Sequence, residues 1–406
     1  MIRYVASWVV PVAGPPIRDG WIDVDRGRIM AVGHGRGSPD QPTEVHELGS
    51  VAILPGLVNA HTHLELTYLR GEVAPASEFV AWIRGIVAAR RAGPEPRSPQ
   101  VLSGIEAGIA EAVRCGTALV GDISNMLTTV EPLARGPLGG VVFYELIRFN
   151  ASDAEGFVEC ARQQVRALGG GAHVRVSLAA HAPYSVAPQV LAAIRRAVEH
   201  TVPYSVHLSE ASEEVEFIRT GGGPWRTFLH DIGAWDDEWA PHGGSPVEYL
   251  SDTGFLGERL LAVHGAQMTP SDLDILARSG ATLVTCPRSN LRTGAGAPPI
   301  ASFYRSGVRV AVGTDSHAST PDLNVFAELA EMRALAPTVP ASVLLESATR
   351  VGAQALGFAA DYGTLEPGKR ARLLAVSIPG AIDDVEEYLV SGVAPGQLSW
   401  LDDHNA

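Results

Sequence analysis

Eight short apolar runs recur along this chain, each closing on polar residues, and most lead into a helix-forming stretch. They lie at 53–60, 118–123, 141–147, 174–182, 204–210, 260–265, 281–287 and 308–315. Between several of them lie patterns such as PQVLAAIRRAVEH, SDLDILARSG and VFAELAEMRAL. Strands alternating with helices predict an α/β fold whose parallel sheet closes into a (β/α)8 TIM barrel. A doubly wound sheet alternates in the same way but gathers its polar motifs at one switch point. Here polar residues stand at the C-terminal end of nearly every run, where barrel enzymes carry their active sites.

The two ends of the chain read differently. RYVASWVVPV, GWIDVDRGRIMAVG and TEVHELG look like short strands, with a hairpin turn at DRGR. DYGTLEPGKRARLLAV, at 361–376, returns to that style. The expected layout is a small β-sandwich domain built from both ends. Residues 1–52 would form its first part, 53–355 the barrel, and 356–406 its second part with a C-terminal tail. The connection from YSVHLSE to LLAVHG is long for a strand–helix–strand unit, which suggests an ordered insertion over the barrel mouth. Trp225, Trp235 and Trp239 are expected to pack it down, at least two of them in a purely structural way.

With 406 residues, 46% hydrophobic and 19% charged, a sizeable core is available. The net charge is −14 and there is no basic stretch, which argues against nucleic acid or an anionic membrane as partner. A small-molecule substrate fits better, and a homodimer is left open. Cys115, Cys160 and Cys286 show no CxxC spacing, so neither a disulfide framework nor a thiolate metal site is expected. No segment approaches the roughly 20 apolar residues of a membrane span. The apolar run near the N-terminus is too short for a signal sequence. A cytoplasmic protein is the expectation.

Of the 13 histidines, His34, His46, His173, His200, His230, His242 and His404 fall in loops or exposed positions. The others gather at the ends of apolar runs: His61, His63, His181, His207, His264 and, just past the last run, His317 beside Asp315. In a strand, residues i and i+2 face the same way, so His61 and His63 aim two imidazoles at one place. Imidazoles and one carboxylate at the same end of a barrel converge on one mouth and suit zinc or a similar divalent ion. His61, His63, His207 and Asp315 form the predicted ligand set, with a position left for water.

These motifs resemble the amidohydrolase superfamily: PGLVNAHTH at 55–63, HLSE at 207–210, VHG at 263–265, GTDS at 313–316 and the closing GTLEPGKRARLLAV. The resemblance covers essentially the whole chain. Arg372 stands where the family's closing motif usually has Asp. Many members bridge two metals with a carboxylated lysine from the barrel, yet Lys369 is the only lysine here. That points to the mononuclear, deaminase-like branch and to one divalent metal, zinc or alternatively Fe2+. By resemblance, Glu210 would protonate a ring nitrogen and shuttle the proton, His264 would orient the attacking hydroxide, and Asp315 would accept a proton from it.

NAHTHLELTYLRG, EFVAWIRGIV, LAAHAPYSVAPQ, CPRSNLRTGAG and GTDSHASTPDLNVFAEL further resemble the aminodeoxyfutalosine deaminases of menaquinone biosynthesis. These convert 6-amino-6-deoxyfutalosine to futalosine and ammonia. Relatives acting on S-adenosylhomocysteine, 5'-methylthioadenosine or adenosine are the first alternative. Guanine deaminases and chlorohydrolases of the same branch are the second. A non-catalytic assembly module would be expected to have lost ligands, and none of the six motif residues is missing. A benzoate tail calls for arginine, for which Arg148 and then Arg288 are the candidates. Glu65 is the candidate for ribose hydroxyls, with an ion pair to Arg70 as its structural alternative. His181 is the candidate for the base, and Ser289 for a further contact.

Overall fold

The computed structural model of the chain describes every residue except 36–41, 169–170, 172, 199–200 and 402–406. His200, His404 and most of the expected C-terminal tail lie outside the described residues. In chain order the strands are β1 (Ile2–Val9), β2 (Ile17–Asp25), β3 (Arg28–His34), β4 (Glu44–Glu47), β5 (Val51–Pro55), β6 (Leu57–Thr62), β7 (Thr117–Ser124), β8 (Gly139–Leu146), β9 (Val174–Ala180), β10 (Tyr204–Leu208), β11 (Leu260–His264), β12 (Thr282–Thr285), β13 (Arg309–Val312), β14 (Leu373–Ser377) and β15 (Leu398–Trp400).

β6 to β13 form one eight-stranded sheet in chain order, with parallel pairing between neighbours and helices between most of them. The last strand returns to the first. The backbone N–H groups of Thr314 and Asp315 both donate to His61 O, at 3.1 and 3.0 Å, and Thr62 makes a parallel bridge to Asp315. Gly313 makes this seam possible, since a Cβ there would lie 2.7 Å from the Cβ and carbonyl oxygen of His61. The expected barrel is therefore present, and it closes at the predicted metal ligands. No helix among the described residues is long and apolar enough to cross a membrane.

The strands from both ends join in one seven-stranded sheet, in the order β15-β14-β5-β1-β2-β3 with β4 beside β1. The DRGR hairpin joins β2 to β3 through Arg26 and Gly27, at φ 48° and 70°. Positive φ at both central residues is what a two-residue turn of matching twist requires. The run expected as a single strand over 53–60 is two strands parted at Gly56. β5 pairs with β1 and β14 in the small sheet, and only β6 enters the barrel. Gly56 is the crossing point, where an added Cβ would sit 2.6 Å from the Cβ of Ala118.

The long connection after β10 holds three helices, Ser212–Thr220, Gly223–Asp231 and Pro246–Asp252. Trp225 is buried and stacks on Tyr184 at 3.7 Å between ring centroids. Trp239 stacks on Phe217 at 4.7 Å, and Trp235 on Phe149 at 5.9 Å. Trp235 and Trp239 pack the insertion down as expected. Trp225 does this too, but it also lines the cavity described next.

Candidate metal centre and cavity

His61 lies in the final turn of β6, and His63 follows where the strand gives way to a 3-10 turn, Leu64–Leu69. Their Nε2 atoms lie 3.2 Å apart. Oδ1 of Asp315 is 3.3 Å from Nε2 of His63 and 3.7 Å from Nε2 of His61. His207, in β10, completes the group: His61, His63 and His207 bring ligand atoms within 4.8 Å of one another. Four donors around an ion with bonds of about 2.0 to 2.1 Å stand roughly 3.3 to 3.4 Å apart in a tetrahedron. The observed spacings bracket that value.

The donors are also in the right protonation state. Burial pushes the conjugate acids of His61 and His63 down to about 3, so both imidazoles are neutral. His207 donates Nδ1–H to His181 O at 2.8 Å, which leaves its Nε2 as a lone pair. Burial opposes ionisation of Asp315, but His61, His63 and His264 outweigh it and hold the carboxyl well below the usual range. Oδ2 of Asp315 accepts from Ser289 at 2.6 Å and Ser319 at 2.8 Å, which aims Oδ1 at the histidines. The set fits one divalent ion. Lys369 bonds Thr364 near the small sheet, away from these donors.

Glu210 and His264 stand beside this group. Oε1 of Glu210 is 3.4 Å from Nε2 of His264. Burial first, then the nearby charges of Asp315, Glu214 and Glu213, raise the Glu210 carboxyl well above its ordinary value. Asn290 Nδ2 lies 3.2 Å from Nδ1 of His264. With the amide N–H as donor, His264 accepts at Nδ1 and carries its proton on Nε2, toward Glu210. Ser209, His264 and Asp315 hold positive φ, at 51°, 80° and 62°, without being glycine. Such backbone is costly and gathers where side-chain direction matters more than local comfort. Glu214 helps to hold it: its two oxygens accept the N–H groups of Ser209 and Glu210 at 3.0 and 2.9 Å.

A cavity of about 450 Å³ runs from this group to the surface. Its floor includes Glu145, His181, Glu210 and Asp315, and its walls are largely apolar, among them Phe79, Trp82, Ile86, Phe149, Trp225 and Phe228. Its other charged lining residues are Arg90, Arg91 and Arg148. Arg148 is exposed, with its guanidinium 4.6 Å over the Phe157 ring. His181 lines the cavity with Nδ1 on Ser185 Oγ at 2.5 Å.

Three expected substrate contacts are already engaged elsewhere. Arg288 does not line this cavity and makes a two-pronged ion pair with Asp322, at 2.8 and 3.1 Å. Glu65 accepts from Ser124 Oγ at 2.6 Å and Asn125 N at 2.8 Å, so its carboxylate braces a loop. Its alternative partner Arg70 pairs with Glu111 instead. Ser289 serves Asp315, as above. His317, also gathered with the site residues in the sequence, bonds Thr67 and Glu111 outside the cavity. Sequence spacing did not single out Glu145, Arg90 or Arg91. Glu145 is hidden inside the apolar run VVFYELI, and Arg90 and Arg91 read as ordinary surface of a helix.

Residues 52–393 match the amidohydrolase family. A 5-methylthioadenosine/S-adenosylhomocysteine deaminase of Halobacterium salinarum is 32% identical over 88% of this chain and 79% of its own length. An aminodeoxyfutalosine deaminase of Deinococcus radiodurans is 30% identical over 82% of this chain and 81% of its own. The zinc-bound crystal structure of an adenosine deaminase from Xanthomonas campestris superposes with a TM-score of 0.82 at 26% identity, covering 98% of this chain and 90% of that one.

Proposed function

The chain belongs to the amidohydrolase family, and from there we propose that it is a metal-dependent hydrolytic deaminase of adenosine-type nucleosides, with 6-amino-6-deoxyfutalosine as its substrate. The observation that carries the reaction is the buried Glu210 beside His264 and the four converging donors. Neutral imidazoles with one carboxylate favour Zn2+, with Fe2+ as the second choice.

A divalent ion held by His61, His63, His207 and Asp315 supplies Lewis acidity that makes water a nucleophile at neutral pH. The remaining work falls to the protein. Glu210 gives its proton to a purine ring nitrogen, so that electron density has somewhere to go when C6 is attacked. His264 points Nε2–H at the oxygen being delivered. Asp315, ionised, takes a proton from that water. The proton passes to the amine, the C6–N bond breaks, ammonia leaves, and the proton of the new C6 hydroxyl returns to Glu210 as the 6-oxo purine forms. The apolar walls exclude bulk water from this exchange.

The shape of the cavity supports an aromatic, carboxylated 5' arm. Its acidic lining residues lie at the ligand end, and the remaining charged ones, Arg90, Arg91 and Arg148, are cationic. A tail ending in a carboxylate finds a partner there, whereas the ammonium of an amino-acid tail does not. A second reading, 5'-methylthioadenosine or S-adenosylhomocysteine as substrate, is favoured by the relatives at higher identity, such as that of H. salinarum. A panel of these nucleosides with ammonia detection separates the two. In the first reading, Arg148→Met lowers kcat/KM for the carboxylated nucleoside about 10- to 150-fold, the worth of one hydrogen bond to a charged group. It leaves adenosine nearly unchanged. Arg288→Met, removing a group bound to Asp322, shifts stability and not this ratio. A wild-type preference for the neutral nucleosides removes the aminodeoxyfutalosine assignment and keeps the deaminase.

A further inference from the structure

Glu145 lines the cavity with one carboxylate oxygen that the fold leaves without a hydrogen bond. The residue is 6% exposed. Oε2 accepts from Asn125 Nδ2 at 2.7 Å. Oε1 is buried and has no hydrogen-bond partner among the described residues. Its near neighbour is Nδ1 of His207 at 3.5 Å, but that N–H is given to His181 O at 2.8 Å. A buried carboxylate oxygen without a donor is costly, and a group of this kind in a binding cavity gains its partner from the ligand.

We propose that Glu145 is a specificity residue of the reaction above, accepting a hydrogen bond from a hydroxyl of the substrate's ribose. This rests on the deaminase reading, and depth in the cavity identifies the donor. The purine must lie at the metal ligands, because its C6 is attacked there. The distal arm lies at the mouth, where Arg148 sits. Glu145 belongs to the same strand end as Ile147 and Arg148, which all line the cavity, and it touches a metal ligand on its other side. It therefore stands between base and arm, at the level of the sugar. The role expected of Glu65 passes to Glu145: Glu65 is held by Ser124 and Asn125, and the same Asn125 steers Glu145.

Glu145, His181 and His207 could also be read as a second cation site, since their ligand atoms lie within 4.8 Å of one another. His207 would then have to give up the Nδ1 proton that bonds His181 O and sets its other nitrogen for the first ion. The hydrogen-bond pattern favours the sugar.

The test uses the metal-loaded wild type with Glu145→Ala and Glu145→Gln, on adenosine, 2'-deoxyadenosine and 3'-deoxyadenosine. The wild type is expected to disfavour at least one deoxy analogue. Glu145→Ala should lose about 10- to 100-fold in kcat/KM on adenosine and stay within about 3-fold on that analogue. Glu145→Gln, isosteric and with its oxygen still claimed by Asn125, should lose less but in the same pattern. Metal content should be unchanged in both. Equal losses on ribose and deoxyribose substrates would overturn the proposal, as would a wild type indifferent to both hydroxyls or a variant with reduced metal content. A wild type inactive on every 6-aminopurine nucleoside would instead overturn the deaminase reading, and this role with it.

Discussion

Asp315 uses one carboxylate oxygen against Ser289 and Ser319 and keeps the other for the histidines. The same division separates Glu210, whose carboxyl lines the cavity, from Glu214, whose two oxygens are spent on backbone N–H groups. Glu210→Gln should therefore keep the metal and lose about 10²- to 10⁴-fold in kcat, the usual worth of a general acid–base group. A variant retaining more than about a tenth of wild-type turnover would remove Glu210 from the role. Asp122 offers a stability test away from the chemistry. It is fully buried, accepts Leu64 N at 2.8 Å, and burial pushes its carboxyl up to about 8 from 3.8. The folded state then binds more protons than the unfolded one across that window, so its contribution to stability falls as pH rises from about 4 to 8. Asp122→Asn should flatten the dependence of unfolding free energy on pH over that range, read by denaturant titration at several pH values. An unchanged slope would mean that Asp122 ionises normally. The convergence of His61, His63, His207, Glu210 and Asp315 was legible in the sequence because their spacing ties each to a strand end. That Glu65, Arg288 and Ser289 have partners within the fold was not legible, because spacing places a residue without telling which neighbours have already claimed its side chain.

Helix Phe79–Ala92 supplies one wall of the cavity through Phe79, Trp82 and Ile86. Its own N-cap residue, Glu78, makes no side-chain cap. Instead Glu213, from the segment just past Glu210, accepts the N–H of Phe79 at 3.0 Å. The turn that carries the acid thus also anchors the wall. A lost cap costs about 1 kcal/mol, so Glu213→Ala should loosen this helix and raise KM for nucleosides roughly 5-fold, with metal content unchanged. A KM within error of wild type would show that the wall is held by its apolar packing alone. The sequence predicted an ordered insertion after β10, but not its three helices, because its Gly- and Trp-rich stretches carry little periodicity. What orders it is stacking across elements, as in Trp225 on Tyr184 and Trp239 on Phe217, and such pairs come from segments remote in sequence.

Across the whole molecule, the proposed ligands come from the first barrel strand, the fifth and the loop after the last. An ion there ties the two sides of the barrel seam. Anything that binds only the folded state stabilises it by mass action, about 4 kcal/mol at a thousandfold excess over its dissociation constant. Chelation should therefore lower the midpoint of thermal unfolding, and adding the metal back should restore it. A midpoint indifferent to chelator would separate the ion from the seam. The barrel itself was legible because eight runs with polar ends leave few other architectures. The split at Gly56 was not, since an apolar run reads alike whether its two halves serve one sheet or two.

The seam also carries a consequence for the ribosome. Closing the ring needs Thr314 and Asp315 against His61, and the small sheet needs β14 against β5, with β15 added beside β14. A nascent chain that stops short of residue 315 owns three of the four donors and cannot bring them under a closed barrel. Strand β5 must meanwhile wait for β14, more than three hundred residues downstream. Deaminase activity in this chain thus waits for the segment that closes the barrel, and a product cut short before it would be inert and would leave strand edges open to chaperones and proteases.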